Sequence, residues 1–318
     1  MKQNNPYKAQ KAGKRFFPAV WLLVLLLASC SQDEAPMAAY GPSGKQTSLQ
    51  VASLATGNGA TTRATTEYSK TDSIGFFVKA NGSFYAARSN IKGIYDDVKH
   101  NSWLPVDSIW LNNNTANLAV YAPYDAAHGT DGTLKLAACI RPADGSKDIS
   151  YKTFTANNKS TPPSLILTHV YSRLTIAITR ATEYTKEVTL NSIGMKGDEI
   201  YKEASFKPFD NANDYGTDKE FAFPIDPAVD ISSANPTQII ELLLIPSSLT
   251  GDVTLYLDGP GEKFKVTIAK GNFGNALTAG RQYKINLTLK GTVLVVTSVT
   301  ITNWEEEKID DEKDAGFK

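Results

Sequence analysis

The sequence predicts an all-β fold, two β-sandwiches in tandem, behind an N-terminus that is removed. Three observations predict it. Short runs rich in Val, Ile, Thr, Tyr and Phe recur from Ser73 onward, separated by Gly, Pro, Asn and Asp. No segment sustains a 3.6-residue apolar period. The pattern runs for about 250 residues, where one sandwich takes about 100.

The first 29 residues read as a signal, not as fold. Lys2, Lys8, Lys11, Lys14 and Arg15 form a positive start. The apolar stretch 16–28 that follows is short of the roughly 20 residues of a membrane span. It ends in Leu27-Ala28-Ser29-Cys30, which resembles a bacterial lipobox. That chemistry needs a thiol at the membrane face with small neighbours. Cys30 is therefore the expected lipidation site, an anchor that does not span. Ser31, Asp33 and Glu34 then resemble the surface-export signal of Bacteroidota lipoproteins.

Residues 30–63 read as a propeptide or linker, rich in Ser, Thr, Ala, Gly and Gln. Within it "TSLQVASL", residues 47–54, alternates like a half-buried strand, with Leu49 and Val51 as its apolar positions. A strand there needs a partner sheet, so it is a candidate removable strand. Arg63, in "TTRATT", is the only arginine between Cys30 and Arg88, and its small polar surroundings suit an exposed protease site before Ala64.

The strand candidates follow in order: "SIGFFV", "SIWL", "NLAVYA", "LKLAACI", "LILTHVYSRLTIAIT", "EVTLNSIGM", "IIELLLIP", "DVTLYL", "KFKVTIA", "QYKINLTLKG" and "TVLVVTSVTIT". The polar stretch "TANNKSTPPS", residues 155–164, predicts the break between the sandwiches, 64–160 and 161–304. In the last strand Val293, Val295, Val299 and Ile301 lie on one face, and Leu294, Val296 and Trp304 on the other. Apolar groups on both faces predict a strand buried on two sides, either a fixed core strand or a donated one. "EEEKIDDEKDAGFK", residues 305–318, is too charged to fill a groove and reads as a solvated acidic tail.

Charge and cysteine usage narrow the functions. The chain has 33 basic and 33 acidic residues, and no basic patch interleaved with aromatics, which argues against nucleic acid. Residues 1–63 hold seven of the basic and two of the acidic residues, so the remainder carries a net charge of −5, as suits a soluble, mildly acidic subunit. Cys139 lies in an apolar run and is expected to be a buried thiol. With Cys30 lipidated, no intrachain disulfide can form.

No catalytic set or cofactor site emerges. His100, His128 and His169 lack metal-like spacing. His169 lies in a strand and is expected to pack, while His100 and His128 are expected to be solvated. "AYGPSGKQT" fails as a phosphate loop, because Ala39 replaces the first glycine and Gln46 the Ser or Thr that meets magnesium. No G-x-S-x-G elbow is present. Residues 210–220 are oxygen-rich without the spacing of a calcium loop, and read as a polar hairpin loop. "DSI" occurs at Ser73 and at Ser108 and resembles a Bacteroidota O-glycosylation sequon; a strand start explains it equally.

Four stretches resemble the fimbrillin family of Bacteroidota, the subunits of type V pili: residues 103–125, 165–179, 277–291 and 296–306. With the lipobox and Arg63 they span nearly the whole chain. The resemblance implies two transthyretin-like Greek-key sandwiches, carried to the cell surface as an outer-membrane lipoprotein precursor. It implies a structural or tip/accessory subunit of fimbriae that supports adhesion and is not an enzyme. Implied partners are other fimbrillin subunits in a homo- or hetero-polymer, an Arg-specific surface protease, the outer membrane through lipid before cleavage, and a host or bacterial surface ligand. The protease cuts after Arg63, the first strand leaves its groove, and a neighbour's strand replaces it. The alternative is an anchored surface lipoprotein that binds glycan or a host ligand, with Trp103 and Trp110 as an aromatic platform; both rings packed on their own sandwich is the simpler expectation.

Overall fold

A computed structural model of the chain describes residues 45–57, 66–129, 131–290 and 293–304, all within one compact unit, Tyr40–Lys318. Cys30, Arg63, Ala64 and the tail 305–318 lie outside the described residues. Among the described residues the strands are β1 (Thr47–Ser48), β2 (Ser53–Thr56), β3 (Thr66–Glu67), β4 (Ile74–Lys79), β5 (Arg88–Asp96), β6 (Ser102–Pro105), β7 (Trp110–Leu111) and β8 (Ala116–Ala122). Then come β9 (Leu134–Ala137), β10 (Cys139–Ile140), β11 (Ser150–Ala156), β12 (Ser164–His169), β13 (Ser172–Arg180), β14 (Val188–Lys196), β15 (Glu203–Lys207) and β16 (Ala212–Tyr215). The last are β17 (Glu220–Ile231), β18 (Thr237–Leu244), β19 (Ser247–Ser248), β20 (Val253–Gly259), β21 (Glu262–Ile268), β22 (Ala276–Leu277), β23 (Arg281–Lys290) and β24 (Val293–Asn303). No α-helix occurs among them; one 3-10 turn spans Lys270–Phe273.

Two large sheet systems form. One is eight-stranded, in the order β3-β2-β12-β11-β8-β4-β5-β6. The other packs a five-stranded sheet, β10-β18-β13-β23-β24, on a four-stranded one, β17-β14-β20-β21, like a sandwich. A three-stranded sheet, β16-β15-β9, and two short pairs complete the set. All pairs are antiparallel except β2 with β12 and β13 with β23.

The burial follows the residue pattern. In the second system Leu174, Ile176 and Ile178 of β13 alternate toward the core, beside Tyr283, Ile285, Leu287 and Leu289 of β23. The eight-stranded sheet is different. On β4, Ile74, Phe76 and Val78 enter one core while Phe77 enters another. On β8, Leu118 and Val120 face the first and Ala119 and Tyr121 the second. Strands covered on both faces need continuous apolar runs, which is why "IGFFV" and "NLAVYA" do not alternate. That shared core also takes Tyr171, Phe206, Leu243, Ile245 and Trp304, so it ties the two systems together.

Several expectations change. Residues 155–164 do not end the first sheet: β11 and β12 pair across them, and β12 runs on to His169. "LKLAACI" splits, with β9 pairing β15 and Cys139–Ile140 pairing β18. Cys139 is half-buried instead of buried, and partial desolvation raises its thiol pKa. Within residues 210–220, β16 is a strand on β15, not loop. His100 is exposed, as expected, and pairs with Asp96, its Nδ1 2.5 Å from a carboxylate oxygen.

His128 was expected in solvent and is buried, edge-on to the Tyr121 ring. Its Nδ1 accepts the Lys135 backbone N–H at 3.1 Å, which fixes a neutral ring. Burial lowers its pKa below the ordinary histidine value, against the pull of Asp125. A lowered folded pKa means stability is complete above the unfolded value and falls as pH drops through it.

Two outcomes are expected. Urea unfolding of the chain loses stability between about pH 7 and pH 5, around the ordinary histidine pKa of about 6.5, and His128→Gln flattens that slope. Gly259→Ala lowers stability by about 1–3 kcal/mol in the same assay, because a Cβ there would lie 2.0 Å from the Thr189 carbonyl oxygen.

Candidate functional site, a groove filled by residues 47–56

The segment read as a removable strand lies in the first core. Leu49, Val51 and Leu54 are 1%, 0% and 2% exposed. They pack among Trp103, Ile109, Leu111 and Leu167. Each such side chain contributes about 1.5–3 kcal/mol when fully buried.

Its backbone joins two different sheet edges. Thr47 and Ser48 pair with Leu111 and Trp110. The Leu49 N–H donates to the Ile109 carbonyl at 2.8 Å. Val51 and Trp103 exchange both backbone bonds, at 3.0 and 2.8 Å. The chain then crosses over: the Ala52 N–H donates to the Pro163 carbonyl at 2.8 Å, and β2 runs parallel to β12. The Gly57 N–H ends this run on the Leu167 carbonyl at 3.0 Å. The segment thus links β6, at one end of the eight-stranded sheet, to β12, near the other. Next, β3 returns along β2, with Ala55 opposite Glu67. Residues 58–65, which include Arg63 and Ala64, connect these two strands.

The crossing explains the spacing of the buried side chains. Leu49 and Val51 are two residues apart, as one strand face requires, but Leu54 follows after three. The change of partner edge between Val51 and Ser53 supplies the extra residue.

The C-terminal strand departs from its expected burial. β24 pairs only with β23, so it is an edge strand. Val293 and Val295 are 59% and 40% exposed. A bulge at Thr297 of β24, which has no partner between Asn286 and Leu287 of β23, shifts the alternation. Val299 therefore packs toward the core of the five- and four-stranded sheets with Leu294 and Val296, not with Val293 and Val295. Ile301 stays 40% exposed. Pattern reading missed this, because nothing in the local sequence marks the bulge.

The other candidates are placed as follows. Trp103 is buried against Tyr95 while Trp110 is exposed, so the two rings do not form one platform. Ser73 and Ser108 are half-buried, and each precedes a core isoleucine, Ile74 and Ile109. His169 is buried, as expected of a strand residue that packs. Its Nδ1 lies 2.9 Å from Asp148 Oδ1 and 3.2 Å from Ser150 Oγ. Both contacts use one ring nitrogen and Ser150 is fully buried, so the trio is not a nucleophile relay. Among the described residues no three His, Cys, Asp or Glu side chains gather to hold a metal ion.

Comparison with known proteins gives the chain relatives. No curated protein matches its sequence. A candidate cell adhesion protein from Bacteroides uniformis is similar in fold, with a TM-score of 0.58 at 16% identity over 82% of this chain and 99% of that one. A second, from Bacteroides ovatus, has a TM-score of 0.56 at 16% identity over 83% and 100%. A family model described as fimbrillin-like matches residues 62–304. That match takes in β3 to β24, nearly all of the strand framework around the groove, and the chain belongs to the fimbrillin-like family.

Proposed function

We propose that the protein is a subunit of cell-surface fimbriae, anchored first through lipid on Cys30 and assembled by strand exchange after a cut between Arg63 and Ala64. One observation carries this reading. Residues 47–56 are joined covalently to the rest of the described fold only through residues 57–65, yet they fill its core and pair two of its edges. A single cut at Arg63 turns an internal strand into a separable one. Its departure leaves two unpaired edges and an apolar trough, which demand another strand.

The strand that replaces it is β24. "LQVASL" (49–54) and "LVVTSV" (294–299) share Leu, Val and Ser at matching places. In both, the core-facing positions follow at steps of two and then three residues: Leu49, Val51, Leu54 and Leu294, Val296, Val299. A β24 from a neighbour therefore presents side chains to the same three positions. As an edge strand it leaves its own sheet by breaking one ladder only. The fold divides, on this reading, into two sandwich domains that meet at Val170 and Tyr171, with the Greek-key, transthyretin-like arrangement of the family. An Arg-specific surface protease and other subunits of the same family are its partners.

Two results test this. Mass spectrometry of high-mass surface material is expected to find chains starting at Ala64, with Arg63→Ala leaving a lipidated start at Cys30 and no polymer. A lipidated start in every wild-type copy sinks the proposal. Leu49→Ala is expected to cost the uncut chain about 2–5 kcal/mol in urea unfolding and to leave the cut, polymerised chain unchanged. An equal loss in both forms would mean the segment stays in place.

A further inference from the structure

The end of β24 is held by a site of its own. Among residues 293–304 only Leu294 and Trp304 are buried. The Trp304 backbone N–H donates to the Gly280 carbonyl at 3.0 Å. Its ring lies parallel to the His169 ring, with centroids 4.0 Å apart and 4° between planes. The Arg141 and Arg173 guanidinium carbons stand 5.9 and 5.8 Å from the same indole.

The walls of this slot are fixed without the indole. Asp148 holds His169. Glu241 accepts from Arg173 Nε at 3.0 Å and also from its Nη2, and from Arg141 Nη1 at 3.4 Å. Walls and occupant come from different parts of the chain: the walls from residues 141–241, the ring from the last residue described. Guanidinium groups near an aromatic ring favour the most electron-rich one, which is indole. A hydrophobic filler would need no such partners.

We propose that this slot is a recognition site for an indole ring, occupied by Trp304, and that it latches β24 into its own sheet until the strand is donated. The latch rests on the strand-exchange reading for its purpose, but not for its existence. Leu294 and Trp304 pin the strand at its two ends. Emptying the slot removes the ring contacts and leaves the Trp304 end on backbone bonds, the β23 ladder and the bond to Gly280, so that β24 opens more readily from that end.

Hydrogen exchange of the full chain, followed by mass spectrometry, tests the latch. Trp304→Ala is expected to lower protection of the β24 amides roughly tenfold while β14 and β20 stay protected. Free indole at millimolar concentration is expected to restore protection in that variant. Unchanged β24 protection, equal loss across both sheet systems, or no response to indole overturns the latch. If Trp304→Ala does not fold, Trp304→Phe and Trp304→Leu are compared: Phe keeps more β24 protection than Leu, and equal protection overturns the site. Digestion with an Arg-specific protease runs in parallel. A cut wild-type chain that forms no polymer sinks strand exchange alone. A variant that polymerises no faster than wild type overturns the latch as a gate.

Discussion

The structure depends on one constraint: two sheet edges inside the same apolar core must both be paired, and one short segment pairs them. β6 and β12 lie far apart in the order of the eight-stranded sheet, and residues 47–56 reach both. Two forces hold the segment, and their magnitudes differ. A backbone hydrogen bond adds about 0.5–1.5 kcal/mol net, less than a buried Leu or Val at about 1.5–3. Three buried side chains and the more numerous backbone bonds therefore hold the segment with comparable energy, and the ladder sets the place. The asymmetry appears on removal, when buried carbonyl and amide groups along both edges lose their partners at about 1–3 kcal/mol each. An edge of that kind is stable only when filled.

The shared core beneath β4 and β8 has a complementary role. It fixes the far wall of the groove, because Phe77, Ala119 and Tyr121 are anchored from behind while Phe76, Leu118 and Val120 face the segment's core. Close-packed walls collapse only partly into a vacancy. An emptied groove would keep most of its shape, which is what a replacement strand requires. The same core brings Trp304 next to Tyr171 and Leu243, so the C-terminal strand ends where the two sheet systems meet.

Much of this was legible in the sequence, and the failures have physical causes. The all-β class was readable from composition, and the groove-filling strand from the alternation of Leu49 and Val51. β5, β11, β15, β16 and β17 were not, because an outward face of polar residues, or Pro224 and Pro227 in β17, removes the apolar signal. His128 looked solvated because its neighbours in sequence are turn residues, whereas its cover, Tyr121, is set by the fold. The break at 155–164 failed for a similar reason: Pro and Asn mark a reversal of the chain, and a reversal within a sheet looks the same as one between sheets. The slot at Trp304 was invisible, since its parts lie between residues 141 and 304.

The bulge at Thr297 bears on copying errors in the proposed strand exchange. A strand with strict two-residue alternation can slide by two and present the same face again, so several seats compete. A two-then-three pattern has no such symmetry. Moving LVVTSV by two residues along a trough shaped for LQVASL places Val296 where Leu294 belongs and Ser298 where Val296 belongs. One seat is then favoured over its neighbours by at least the cost of a hydroxyl in an apolar site, about 1–3 kcal/mol. On the strand-exchange proposal, that difference would keep each joint in a chain of subunits the same length as the last.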